Sequence, residues 1–224
     1  MADRAFVDLH CHTSASFDSL AAPASIVGAA VKRGLTHLAI TDHGTIDGAL
    51  EARAAAPEGL TIIVGEEIRT AEGDLIALFL QTAVAQHRPA TETIEEVRAQ
   101  GGLVGVPHPF DKFRGSLLRD AQMASLAPLV DWVEVHNARI VGGTGNEQAA
   151  AFATEHGLHG VAVSDAHSTL EVGVAYSVLD GDASSSEGLL EALAGDVELV
   201  TGRASYYVRT FTPVAKLVHR LRRR

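Results

Sequence analysis

Short apolar runs alternate with longer amphipathic or alanine-rich stretches along this chain. Residues 6–9, 37–41, 61–64, 76–80, 103–106, 132–135 and 161–163 are brief and rich in apolar or β-branched side chains, and read as strands. Residues 23–33 carry the grammar of a helix, with Pro23 at its start and Gly34 as its stop. Further helices are predicted over 45–55, over 91–100 with Thr91 as N-cap, over 117–126, over 146–156 closed by Gly157, and over 187–194. Glu72-Gly73-Asp74 forms a turn that would make the third and fourth strands a hairpin, and the Ser- and Gly-rich 180–187 stretch reads as a loop. Strands alternating with helices predict an α/β fold on a largely parallel sheet, open or closed into a barrel. Seven strand candidates in 224 residues suit a (β/α) barrel slightly short of eight units.

Composition narrows the picture. An apolar fraction of 46% supports one sizeable core, so 1–215 is expected to form one domain, with 216–224 as a basic tail. No apolar run approaches the roughly 18 residues a membrane helix needs. The opening MADRAFVDLH lacks the charged-then-apolar pattern of a signal peptide, so a cytoplasmic protein is expected. A formal charge of −10 argues against binding a nucleic-acid polymer, which calls for a basic face. The cluster Arg220, Arg222, Arg223 and Arg224 is the local exception and reads as a solvated or disordered end. Cys11 is the single cysteine, which excludes an intrachain disulfide. On an extended segment it points away from His10 and His12, so it reads as a buried, inert thiol.

The eleven histidines carry the chemistry. His10 and His12 follow the first strand, Asp42 and His43 the second, and Glu66 and Glu67 the third. His108 follows the fifth, His136 and Asn137 the sixth, and Asp165 and His167 the seventh. In parallel α/β folds the C-terminal strand ends share one face, where function is built. Any one of these residues is readily explained as a cap or loop residue; together they predict one polar cavity. Imidazole and carboxylate without thiolate suit Zn²⁺, Mn²⁺ or Fe, and so many donors imply two or three divalent ions. Clustered divalent ions fit phosphate-ester hydrolysis, in which one ion turns bound water into a nucleophile near neutral pH. There is no G-x-S-x-G elbow, P-loop or dinucleotide fingerprint to suggest other chemistry.

Several motifs then stand in a distinctive order: Asp8-Leu9-His10-Cys11-His12-Thr13 with Ser16 and Asp18, Ile40-Thr41-Asp42-His43, Gly65-Glu66-Glu67, Pro107-His108-Pro109-Phe110-Asp111, and Ser164-Asp165-Ala166-His167-Ser168. This set resembles the PHP (polymerase and histidinol phosphatase) family from Phe6 to about Tyr176. The resemblance implies a distorted (β/α)7 barrel with a trinuclear metal site at the C-terminal strand ends. It implies that His10, His12, Glu67 and Asp165 hold the first ion and its water. Glu67 would bridge to a second ion bound by His108, and Asp18, His43 and His167 would hold a third. Asp18 stands where some relatives have His. Some relatives also supply the second ion with another His between the Glu and the Pro-His-Pro motif; here the only His in that interval is His87, in an expected loop.

Around these ligands, Asp42 is expected to orient an imidazole or to stabilise the strand-end turn. His136 is a candidate to complete the second metal site, but reads rather as packing or as a support to the ligands, and His37, His156, His159 and His219 read as surface or capping residues. Arg114, then Lys112 and Arg139, are the candidates for holding the substrate phosphate. The expected function is a metal-dependent phosphatase or phosphodiesterase acting on a small phosphorylated metabolite such as a nucleoside monophosphate. The alternatives are a histidinol-phosphatase-like enzyme, a non-catalytic metal-binding module and an exonuclease. The residues carry no reading of oligomeric state.

Overall fold

The computed structural model describes residues 4–111, 124–140 and 144–222. The strands are β1 (Arg4–Asp8), β2 (His37–Ile40), β3 (Thr61–Arg69), β4 (Asp74–Leu78), β5 (Leu103–Val106), β6 (Trp132–Asn137), β7 (His159–Val163), β8 (Tyr176–Asp180) and β9 (Val197–Val200). The helices are α1 (Pro23–Arg33), α2 (Asp47–Ala55), α3 (Ala90–Ala99), α4 (Gly145–His156), α5 (Ser186–Leu193) and α6 (Phe211–Arg222). One sheet runs in the order β7-β6-β5-β4-β3-β2-β1-β8-β9. It curls into a nearly closed barrel. The Ser177 hydroxyl on β8 accepts the Ala162 N–H of β7 at 2.9 Å and lies 3.3 Å from its carbonyl, so a side chain bridges the seam between the two ends.

The barrel class expected from the sequence is the one found, with nine described strands rather than seven. β8 and β9 were missed, β9 because it is largely solvent-facing, which hides its alternation. The sheet is also less parallel than expected. β1, β2 and β3 run parallel, as do β5, β6 and β7, but β4 is antiparallel to both neighbours and β8 to both of its own. The 70–73 turn makes β3–β4 a hairpin, and a tight turn necessarily reverses the strand.

Alternation along the strands builds two apolar layers. Leu38, Ile40, Ile62 and Val64 belong to an outer layer with Ala49 and Ala52 of α2 and Ile26, Val27 and Ala30 of α1, while Ala39, Ile63, Ile76 and Trp132 fill the interior. Burying each large aliphatic side chain contributes about 1.5–3 kcal/mol. Cys11 lies in the outer layer, fully buried, as its direction on the strand predicts. Trp132 packs flat against Gly105, where an added Cβ would lie 2.2 Å from the indole. α5 brings Leu189, Ala192 and Leu193 to the inner cluster from the end where β8 leaves the barrel beside the start of β1, and so plugs the bottom.

Local grammar accounts for several helix ends. α1 begins at Pro23 and stops at left-handed Gly34 (φ 74°), and α4 stops at Gly157 (φ 65°). α5 is capped by Ser185, whose hydroxyl accepts the Gly188 N–H. Thr91 is not the N-cap of α3: that helix begins at Ala90 after Pro89, with no side-chain cap. The helix predicted over 117–126 falls mostly outside the described residues, of which 124–126 are helical. The end expected to be solvated or disordered forms the helix α6 through Arg222, with Lys216, Arg220 and Arg222 exposed to solvent and Ala215 buried beneath it. No helix among the described residues is long and apolar enough to cross a membrane.

Candidate metal centre

The C-terminal ends of β1, β2, β5 and β7 and the last third of β3 deliver the polar side chains to one end of the barrel. β3 runs on to Arg69, so Glu66 and Glu67 lie within the strand rather than past its end. Alternation therefore separates them. Glu66 turns away to accept the Val84 N–H and the Gln86 amide, both at 2.8 Å. Glu67 points into the cavity and is the centre of the cluster.

His10 Nε2 and His12 Nε2 lie 2.9 Å apart, and each is 3.2 Å from Glu67 Oε2 and 3.6 Å from Asp165 Oδ1. Four donor atoms around a tetrahedral ion with bonds near 2.05 Å would be separated by about 3.3 Å. The observed separations bracket that value. On the other side of the cluster, Asp18 Oδ2 is 3.3 Å from His43 Nε2 and 3.1 Å from His167 Nε2, and His43 Nε2 is 3.5 Å from Glu67 Oε2. The remaining Glu67 oxygen, Oε1, is 3.2 Å from His108 Nε2. Glu67 thus serves imidazoles from both of its oxygens, the arrangement of a carboxylate that can bridge two ions.

The electrostatics of the cluster follow from burial and from its carboxylates. Burial opposes charge on His10, but the carboxylates of Asp165, Glu134 and Glu67 outweigh it and push its pKa well above the ordinary value. Burial likewise opposes charge on His12, whose bonds to Asp165 and Glu67 raise it to about 9. His167 goes the other way, to about 4, through burial and the neighbouring His12. Lone pairs converge here from several sides, and only positive charge at their centre satisfies them. Divalent cations fit this donor set.

A ring of partners holds the donors. Glu134 Oε1 accepts from His10 Nδ1 at 2.6 Å, and its Oε2 accepts the His108 N–H at 2.7 Å and the Asn137 amide at 2.8 Å. Accepting at this nitrogen, Glu134 fixes the proton on Nδ1 and turns the Nε2 lone pair to the cluster. Asn137 also donates to Asp165 Oδ2 at 3.0 Å. Glu171 Oε2 accepts the His167 N–H at 3.1 Å and the Ser168 hydroxyl at 2.8 Å. Asp42 receives both the N–H and the hydroxyl of Thr13 at 2.6 Å, so of its two expected roles it takes the strand-end turn. Gly48 of α2 makes room for that pair, since a Cβ there would come 2.1 Å from Asp42 Oδ2. His108 (φ 30°) and Asp165 (φ 52°) both adopt left-handed backbone that non-glycine residues avoid, a strain found where function requires it.

All eight sequence-predicted donors, His10, His12, Asp18, His43, Glu67, His108, Asp165 and His167, therefore meet in one cluster, seven of them buried and His43 partly exposed. Asp74, which sequence reasoning did not single out, joins Glu67 and His108 in a further donor group. It opens β4 and is also ion-paired with Arg69. Glu134 and Glu171 were missed as well. Their signal was a lone carboxylate amid apolar neighbours, in Trp132-Val133-Glu134-Val135 and beside Val172. Lys112 and Arg114 lie outside the described residues. Arg139 is buried; its Nη1 sits 3.1 Å from Glu171 Oε1, too bent for a hydrogen bond, and its Nη2 donates to Thr212 at 2.8 Å. Its guanidinium thus lies between Glu171 and Thr212. His136 bonds the Gly202 carbonyl at 2.8 Å, away from the donors, and His87 is exposed.

The PHP domain profile matches residues 8–120, and a PHP-associated profile matches 143–196. The chain belongs to the PHP family. It is 37% identical over 145 residues to the uncharacterized protein MJ1587 of Methanocaldococcus jannaschii, covering 58% of this chain and 81% of that one. A shorter stretch of 64 residues is 47% identical to a 5'-3' exoribonuclease of Haemophilus influenzae, covering 28% of this chain and 23% of that protein. In fold it is similar to a two-domain protein from Bacteroides vulgatus containing a predicted PHP-like metal-dependent phosphoesterase. That likeness has a TM-score of 0.74 at 20% identity, over 90% of this chain and 66% of the other.

Proposed function

We propose that this PHP-family chain is a metal-dependent phosphoesterase that hydrolyses a small phosphorylated metabolite, a nucleoside monophosphate being the favoured type. The observation that carries the reading is Glu67, buried at the barrel mouth with both oxygens committed to imidazoles on opposite sides. His10, His12, Glu67 and Asp165 would hold one divalent ion; Asp18, His43 and His167 a second; Glu67, His108 and Asp74 a third. In that assignment Asp74 replaces the additional histidine of some relatives. Zn²⁺, Mn²⁺ and Fe suit this mixture of imidazole and carboxylate. Divalent ions held there supply a nucleophile from water at neutral pH and neutralise charge on the phosphoryl oxygens.

The chain's own residues set the geometry. Glu134 locks the His10 tautomer, Asn137 aims Asp165, and Glu171 secures the turn that presents His167. The hydroxyls of Ser16 and Thr13 are directed to Asp18 and Asp42, and Cys11 faces the core. None of these three is placed to act as a nucleophile, which supports water as the attacking group. A second reading, cleavage of a nucleic-acid phosphodiester, draws on the short match to an exoribonuclease. The charge of −10 weighs against a long polymer track.

The test is to strip the protein with chelator, reload it with Mn²⁺ or Zn²⁺, and assay p-nitrophenyl phosphate against bis(p-nitrophenyl) phosphate. Metal-dependent release from the monoester supports the proposal. Preference for the diester supports the nuclease reading, and no turnover of either by fully loaded protein refutes both.

A further inference from the structure

Beside His167 the surface opens into a cavity of about 450 Å³. His167 and Ser168 form its wall toward the metal centre. The facing wall is apolar: Leu20 and Ala22, from the segment leading into α1, and Phe211 and Val214 of α6. The volume falls in the range of about 300–1,000 Å³ typical of small-molecule sites. Leu20 and Val214 are 42% and 52% exposed, so large apolar side chains stand uncovered at the rim.

The α6 wall is registered to the metal centre by three separate contacts. Thr212 accepts from Arg139, which is paired with the Glu171 that holds the His167 N–H. His219 Nε2 donates to the Ser19 carbonyl at 2.9 Å, and the Ser19 hydroxyl donates to the His167 carbonyl at 3.0 Å. The Lys216 ammonium lies 5.2 Å from the Phe17 ring, whose centroid is 4.9 Å from that of His43 in a stacked arrangement. A helix tied in this way to the partners of His43 and His167 holds the cavity at a fixed distance from the donors.

We infer that this cavity is the leaving-group subsite, shaped for a flat, uncharged organic group of aryl or nucleobase size. The inference rests on the phosphoesterase reading. With the phosphate on the donor cluster, the ester oxygen is directed toward His167 and the organic group lies between Leu20 and Val214. Hydrolysis breaks the bond from phosphorus to that ester oxygen and forms one from phosphorus to a water oxygen. One water proton ends on the departing alcohol and the other on the phosphate product. The apolar wall favours departure of a neutral alcohol, and among the described residues the lining, whose polar side chains besides His167 are the hydroxyls of Ser25, Ser168 and Thr169, holds no lysine, arginine or carboxylate to pair with a second charged group.

The test uses Mn²⁺-reconstituted protein with two substrates, 1-naphthyl phosphate and methyl phosphate, and the corresponding phosphonates as unreactive probes in titration calorimetry. Wild type should favour the naphthyl compound by about tenfold or more in both kcat/KM and affinity. Val214→Trp, at an exposed helix position, fills the cavity and should lower that preference at least about tenfold. Leu217→Trp, on α6 but outside the cavity, should keep it, and thermal melts confirm that both variants fold. A Val214→Trp protein that retains the preference, or a wild type that treats the two compounds alike while turning both over, overturns the subsite alone. Absence of both turnover and phosphonate binding overturns the phosphoesterase reading and the subsite with it.

Discussion

Glu134 offers the sharpest test of how the barrel prepares its ligands. It is fully buried and accepts from three donors: the His10 ring, the His108 N–H and the Asn137 amide. Glu134→Ala strands these donors; at about 1–3 kcal/mol for each unsatisfied buried group, with water entering part of the space, the loss of stability should be about 3–5 kcal/mol. Glu134→Gln is more informative because it keeps the volume. A neutral amide has one accepting end and one donating end. If its oxygen serves His108 and Asn137, its NH₂ faces His10 Nδ1 and drives the ring to the tautomer with the proton on Nε2, the atom that must bind metal. If the amide is reversed, its NH₂ opposes two other donors. Either way metal affinity should fall about 10- to 100-fold, equivalent to about 1.4–2.7 kcal/mol, with a much smaller loss of stability than in the alanine variant. Competition titration with a chromogenic chelator, alongside urea unfolding of the metal-free proteins, measures the two effects separately. A Glu134→Gln protein that binds Zn²⁺ or Mn²⁺ as tightly as wild type would refute the argument.

Other outcomes follow from the same geometry. His10→Ala or Asp165→Ala should abolish turnover and lower metal content measured by plasma emission; a fully loaded, fully active variant sinks the ligand assignment. Asp74→Ala should lose about one ion per chain while the ion at His10 and His12 is retained, read by metal stoichiometry at matched free-metal concentration, and unchanged stoichiometry excludes Asp74 as a ligand. Gly105→Ala should cost about 1–3 kcal/mol in urea unfolding, since its methyl would enter the Trp132 indole, and a neutral result would show that the barrel interior yields there. His37 is buried at the start of β2, and burial lowers its pKa below 6.5, with Asp182 only partly offsetting the effect. A depressed histidine pKa means the unfolded chain binds the proton better, so this stabilisation is present above about pH 6.5 and is lost as pH falls through the folded value. His37→Gln should flatten the decline in urea midpoint between about pH 7 and about pH 5; an equally steep decline assigns the acid sensitivity elsewhere.

What the sequence alone determined was local. Pro23 and Gly34 bound α1, and Gly157 ends α4, because proline and glycine act on their own φ angles. Strand alternation turned Cys11 into the core, and the donors at successive strand ends marked the functional end of the barrel. Tertiary structure decided whatever depends on residues distant along the chain. Glu134 is 124 positions from His10, and its role exists only once β1 and β6 face each other across the barrel. Asp74 becomes a donor because the β3–β4 hairpin sets it diagonally from Glu67, and Arg139 receives carboxylate and hydroxyl partners because Glu171 and Thr212 fold beside it. β8 and α6 belong here too, the first held by the seam at Ser177 and the second by contacts to Arg139, Ser19 and Phe17. Chain propensity reaches only a few residues, whereas the partner that gives a buried charge its meaning is supplied by the closed barrel.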